Sequence, residues 1–195
     1  MQKLATTEVP LHPLLAGRWS PRGFDRAHAI EPQQLTALLE AARWAPSANN
    51  SQPWRFIVAQ RGEPAFETLF DLLMRGNQLW AGAASALILV VADTTSPSGD
   101  ANPYALYDTG QAVASLSAQA GHEGLSVHQM GGFDRAAAAQ AFGLRDGLEP
   151  VVVVAIGRHD AQAQLTEALA ERERAPRVRR PIDEMVLRPA TRANA

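Results

Sequence analysis

Apolar residues recur along the chain with two distinct periods. Between Pro32 and Ala45, Leu35, Leu38, Leu39 and Ala42 fall at helical spacing behind Glu31-Pro32, a fitting helix entrance. From Pro64 to Arg75, Phe66, Leu69, Phe70 and Leu73 share one side of a second helix, which Gly76 is expected to close. Two stretches, Ala86 to Ala92 and Val151 to Ile156, are apolar at every position and predict strands buried on both faces. Trp54 to Ala59, behind Pro53, reads as a further short strand. Tyr104 to Gly121 is long, weakly polar and rich in Ala and Ser. A helix with so little charge belongs in a core or against another subunit. Leu125 to His128 predicts a short strand, and Asp134 to Phe142 a helix with Asp134 near its start. Helices flanking a central sheet give an α+β domain.

Length and composition narrow this picture. At 195 residues, 46% hydrophobic and 19% charged, the chain suits one globular domain spanning 1–195. A net charge of −2 excludes a general nucleic-acid binder, which would carry a basic excess. The absence of cysteine removes disulfides, thiolate catalysis and Cys-type metal sites. His12, His28, His122, His128 and His159 lie at no metal-ligand spacing, so no metal site is expected. The N-terminal segment lacks a continuous apolar stretch. The longest apolar run, Ala83 to Ala92, is shorter than the about 20 residues a bilayer requires. A cytoplasmic protein without membrane contact is therefore expected. From about Glu171 the texture changes to a segment with seven arginines and three prolines. It cannot bury itself, and is either a frayed tail or an arm that packs on something else.

Two clusters carry candidate chemistry. In Arg18-Trp19-Ser20-Pro21-Arg22, two arginines four apart flank a hydroxyl, a set able to give one phosphate several charge-assisted bonds. An ordinary solvated loop has the same composition. The second cluster runs Ala45-Pro46-Ser47-Ala48-Asn49-Asn50-Ser51-Gln52-Pro53-Trp54. It sits between a helix and a strand, with small residues that permit close backbone approach. Its hydroxyls and amides supply uncharged donors and acceptors. That suits the edge of a polar heterocycle better than acid–base chemistry, although capped turns use similar residues. No strand leads into GxGxxG and no GxxxxGK[ST] occurs, which disfavours a Rossmann site or a P-loop.

Arg18-x-Ser20-x-Arg22, followed by Ala41 to Phe56 (AARWAPSANNSQPWRF), resembles the N-terminal signature of the nitroreductase family of flavoproteins. The resemblance continues at Asn77, at Gly131-Gly132-Phe133-Asp134, at Pro150 to Gly157 and at Arg177-x-Arg179-Arg180-Pro181. It implies a central mixed sheet flanked by helices, an intertwined homodimer and FMN at the subunit interface. Arg18, Ser20 and Arg22 would hold the FMN phosphate and ribityl end, with Trp19 beside them by its backbone. Arg177 and Arg179 would complete the phosphate clamp, on an arm from about 172 to 195 that crosses to the partner. Pro46, Ser47, Ala48 and Asn50 would line the flavin from the other subunit. Asn77 would bond the pyrimidine edge, and Gln129, Gly131 and Gly132 would lie near the reactive face.

The resemblance further implies reduction of a small electron-poor molecule, such as a nitroaromatic or a quinone, with NADH or NADPH in a ping-pong scheme. No side chain is nominated as catalytic, since the flavin carries the redox chemistry. Three positions depart from relatives: Ala48 stands where many have a second serine, Trp80 where some have a lysine close to the ring, and Gly131 where some have a glutamate. These leave the acceptor undefined. Two further readings stay open at this point. One is a different flavin reaction on the same fold, and the other a non-catalytic module binding a nucleotide or anion.

Overall fold

The computed structural model describes residues 3–96 and 98–187. Its centre is a four-stranded sheet of order β1-β2-β4-β3, with β1 at Trp54–Gln60, β2 at Ala86–Asp93, β3 at Ser126–Met130 and β4 at Leu148–Gly157. All eight residues of β2 are buried. They are apolar on both sides because helices cover both faces of the sheet. On one face Ala86, Ile88, Val90, Val154 and Ile156 pack with α2 (Pro32–Arg43) and α5 (Ala105–His122). On the other, Leu87, Leu89, Val91, Val153 and Ala155 meet residues of α3 (Pro64–Asp71), α4 (Arg75–Ala81), α6 (Arg135–Ala141) and α7 (Glu167–Arg174). Alternation along each strand thus feeds two cores at once. Two short helices complete the described chain, α1 at Pro13–Gly17 and α8 at Ile182–Met185.

The α+β class holds, but the sheet is antiparallel rather than mixed among the described residues: β1–β2, β2–β4 and β3–β4 all run in opposite directions. The connections explain this. Both β1 to β2, through α3 and α4, and β3 to β4, through α6, return the chain against its previous direction. One bulge, between Val90 and Val91, accommodates Pro150 in β4, which has no N–H for the ladder.

The single helix expected over Pro64 to Arg75 is two. α3 stops at Asp71, and Leu73 instead bridges to Phe133. Met74 N–H donates to the Gly132 carbonyl at 3.0 Å, and Asp134 N–H to that of Leu72 at 2.9 Å. These contacts with 132–134 outweigh continuation of the helix, and keep Leu73 buried on the same core. Gly76 consequently lies in the first turn of α4 and caps nothing. The Asp134 carboxylate does start a helix, accepting from Ala137 N–H at 2.9 Å. The change of texture at Glu171 falls inside α7, whose Leu169 is buried. The extended arm starts only at Ala175, and its last residues, 188–195, lie outside the described region.

Candidate functional site

Arg18 follows directly on α1, and its Nη1 reaches Ser20 Oγ at 3.4 Å. Arg177 comes to the same place from the far end of the chain. Its Nη1 donates to the carbonyls of Ala16 at 2.5 Å and Lys3 at 3.0 Å. Burial, and then the charges of Arg177 and Arg179, make the Arg18 guanidinium easier to deprotonate than an ordinary arginine. Burial and Arg179 do the same to Arg177. Arg177 thus stands beside the Arg18 segment, with Arg179 two residues on, and no carboxylate pairs with any of the three among the described residues. Arginine stays charged at such a site. An uncompensated concentration of positive charge with many N–H donors is the electrostatic requirement of a phosphate site. Both segments belong to one chain.

Beside it, Pro21 accepts a hydrogen bond from His128 on β3 at 2.8 Å. A carbonyl only accepts, so Nδ1 carries the proton and Nε2 is left as an acceptor. The ring packs on Trp80 with centroids 4.4 Å apart. Burial holds His128 below the ordinary histidine range; the Pro21 carbonyl opposes this and the Arg22 charge reinforces it. Next along β3, Gln129 Nε2 donates to Ser117 Oγ at 3.3 Å. β3 is an edge strand of the sheet, leading directly to Gly131 and Gly132. Asn77 Nδ2 donates to the Gly132 carbonyl at 3.0 Å. A Cβ on Gly132 would lie 3.2 Å from that nitrogen, whereas one on Gly131 would meet nothing within 4 Å among the described residues. The structure thus brings Ser20 and Arg177 beside Arg18 near the start of β3, where Ser126 and Val127 share the Arg18 cavity, with Arg22 and Arg179 on the same two segments; Gln129 lies toward the other end of β3, with Gly132 and Asn77.

Pro46, Ser47, Ala48 and Asn50 are not part of this group. They lie in the loop after α2, where Asn49, Asn50 and Gln52 take φ values of 51°, 55° and 46°. Left-handed backbone at non-glycine residues costs on the order of 1 kcal/mol or more each, and such strain concentrates at functional sites. The loop is held by the buried Asp108 carboxylate, which accepts from Ala48 N–H at 3.0 Å, and by Ser47 Oγ, which accepts from Gln52 N–H at 3.1 Å. Asp108 sits in the first turn of α5. By contrast, Arg18 and Trp19 share a cavity of about 420 Å³ with Ser117 and Gly121, near the helix's other end. Gly121 stands thirteen positions after Asp108 along the helix, about 20 Å at the usual rise. Within one chain the amide-rich loop and the arginine cluster therefore stand apart.

Three contributors had no legible signal in the sequence. Glu173 lies in a charged run that reads as solvent-facing, Asp108 in a helix start that reads as a cap, and Lys3 in an unpatterned N-terminus. Lys3 Nζ lies 4.6 Å from the Trp19 ring centroid and donates to the Glu173 carbonyl at 2.6 Å.

The Nitroreductase family model matches residues 15–75 and 62–158. An uncharacterized 15.4 kDa protein of Mycolicibacterium smegmatis is 44% identical over 139 residues, covering 67% of this chain and 92% of that protein. A Bacillus subtilis protein named NAD(P)H nitroreductase YdgI is 27% identical over 182 residues, 74% of this chain and 86% of that one. A crystal structure described as an oxidoreductase containing FMN superimposes with a TM-score of 0.88 at 36% identity, over 97% of this chain and 96% of that chain.

Proposed function

The chain belongs to the nitroreductase family, and we propose that it is a homodimeric FMN-dependent oxidoreductase that uses NADH or NADPH to reduce a small electron-poor acceptor. The observation that carries this reading is the convergence of Arg18 and Arg177 from opposite ends of the chain, Arg177 bonding the Ala16 carbonyl beside Arg18, with no described carboxylate paired to either or to Arg179. A dianionic phosphate would pair with them. Ser20 adds a hydroxyl to the same end, and Arg22 extends the positive surface toward Trp80. Asn77 and the backbone of Gly131 and Gly132 would hold the ring's polar edge, beside the open face that Gly131 leaves.

The second subunit answers the separation along α5. Leu106, Tyr107, Gly110 and Ala114 lie exposed on the face of α5 turned away from the core, and Trp44 at the end of α2 is 76% exposed. Covering these with a second copy is favourable, and brings a partner's amide-rich loop toward the arginine cluster. In the dimer, Pro46, Ser47, Ala48 and Asn50 would line the flavin from the opposite subunit, and the arm beyond Arg179 would lie on the partner.

Bound there, FMN would supply the redox chemistry between nicotinamide and acceptor. The protein's part is to hold the phosphate, fix the ring and exclude water. His128 stays neutral near pH 7 and offers Nε2 as an acceptor, adding no positive charge beside the ring. Nucleotide and acceptor would use the same open face in turn, which needs no separate dinucleotide fold. The test is titration of FMN into flavin-free protein while its mass is followed by light scattering. One FMN per chain on a dimer is expected; a monomer that takes up no FMN would overturn the proposal.

A further inference from the structure

Glu173 sits in the last turn of α7, where a carboxylate opposes the helix dipole. It is nevertheless mostly buried, with a side-chain exposure of 14%. Its two oxygens accept from Arg22 N–H at 3.1 Å each, and Oε1 also from Gly23 N–H at 3.2 Å. His159 Nε2 lies 3.6 Å from Oε1. The corner that it grips is closed: Phe24 bridges to His159, Asp160 N–H donates to the Gly23 carbonyl at 3.1 Å, and a Cβ on Gly23 would lie 2.6 Å from the Asp160 carbonyl oxygen. The Glu173 carbonyl meanwhile takes the Lys3 ammonium. One residue therefore ties α7 to the segment Arg18–Arg22 and to the N-terminal segment at Lys3.

The position of this tie in the sequence gives it a consequence. Arg22 stands four residues after Arg18, and Arg177 four residues after Glu173. The carboxylate fastens together the two segments whose guanidiniums repel one another. Beyond Glu173 the chain leaves α7 at Ala175; past that point Arg177 is held by the Ala16 and Lys3 carbonyls, and Arg179 bonds only the adjacent Val178 carbonyl among the described residues, so the Glu173 tie sets where this segment starts. We propose that Glu173 is a positioning residue: it holds the arm that carries Arg177 and Arg179 against the Arg18–Arg22 segment, so that the phosphate clamp is assembled before its ligand arrives. This rests on the flavin reading above and goes beyond it, because the Glu173 carboxylate is engaged by the backbone N–H groups of Arg22 and Gly23 and would act through the arginines.

Riboflavin, which shares the ring and ribityl chain of FMN but lacks the phosphate, separates the clamp from the rest of the site. The dissociation constants of both are measured by fluorescence titration for wild type, Glu173→Gln and Glu173→Ala, with the thermal midpoint of each flavin-free protein. Losing the charged acceptor is expected to weaken FMN about tenfold or more in Glu173→Ala while leaving riboflavin within about twofold. Glu173→Gln, which keeps one acceptor oxygen, falls between. If Glu173→Ala does not fold, Glu173→Gln decides the matter by the same ratio. In an Arg177→Ala/Arg179→Ala background, Glu173→Gln should have no further effect on that ratio, since its action runs through those two residues.

A retained preference for FMN in the variants would overturn the role of Glu173 alone. So would an equal loss of both flavins. If removing the negative charge tightened FMN in Gln and Ala alike, the carboxylate would be a mere counter-charge and the proposal would fail. A wild-type protein that binds both flavins equally would overturn the phosphate reading itself, and the proposal with it.

Discussion

Adding one methyl group to either of two adjacent glycines should have opposite effects. At Gly132 the new Cβ would lie 3.2 Å from Asn77 Nδ2, 3.4 Å from Met74 Sδ and 3.7 Å from Met74 Cβ. Met74 is 63% exposed and its thioether swings away easily. Asn77 does not, because its amide donates to the carbonyl of Gly132 itself. Moving it by a few tenths of an ångström weakens a hydrogen bond worth about 1 kcal/mol, and overpacking adds about as much. The reduced freedom of the unfolded chain returns about 0.5 kcal/mol, leaving Gly132→Ala destabilised by roughly 1.5 kcal/mol. At Gly131 nothing among the described residues lies within 4 Å and the backbone is not left-handed, so Gly131→Ala should gain that same roughly 0.5 kcal/mol. Urea denaturation of the flavin-free proteins should therefore separate the two by about 2 kcal/mol at unchanged slope. Displacing Asn77 should also weaken FMN and riboflavin equally, since the ring edge is common to both. Equal stability of the two variants, or a Gly131→Ala protein less stable than wild type, would refute the packing argument. A Gly132→Ala protein that lost FMN alone would refute the placement of Asn77.

Arg179 is exposed, and its guanidinium's one hydrogen bond among the described residues goes to the adjacent Val178 carbonyl. Arg179→Ala should leave flavin-free stability within about 0.5 kcal/mol, yet weaken FMN about tenfold and reduce the salt dependence of binding. Unchanged FMN affinity would remove Arg179 from the clamp. His28 and His128 are both held below the ordinary value of 6.5, chiefly by burial. The unfolded chain therefore binds protons more readily than the folded one. Stability is complete above that value and lost as pH falls through the interval below it. Each histidine contributes a slope of at most about 1.4 kcal/mol per pH unit. Denaturation midpoints between pH 7.5 and 5.5 should fall for wild type and fall less for His128→Gln. An unchanged slope in the variant would show that His128 is not buried as a neutral ring.

The sequence pattern carried the framework because hydrophobic burial carries it. β2 reads as buried on both faces and is, and α5 reads as a helix too apolar for solvent, with one face in the core and the other left open. The α3–α4 break was illegible for a physical reason: Leu73 keeps the helical register of its predecessors, and only the distant bridge to Phe133 stops the helix. Strand direction was equally hidden, since a run such as Val151 to Ile156 looks the same in a parallel or an antiparallel sheet once helices cover both faces. Among functional residues, the arginines and amide loop stood out as clusters. Glu173 and Asp108 did not, because each acts on backbone N–H groups many residues away, which leaves no local pattern.

The most direct test of the central claim is an anaerobic visible spectrum of the FMN-loaded protein before and after addition of NADH and, separately, NADPH. The account predicts that the flavin absorption bleaches with at least one of the two nucleotides and returns when a quinone or nitroaromatic acceptor is added. Bound flavin that keeps its oxidised spectrum with both nucleotides would contradict it.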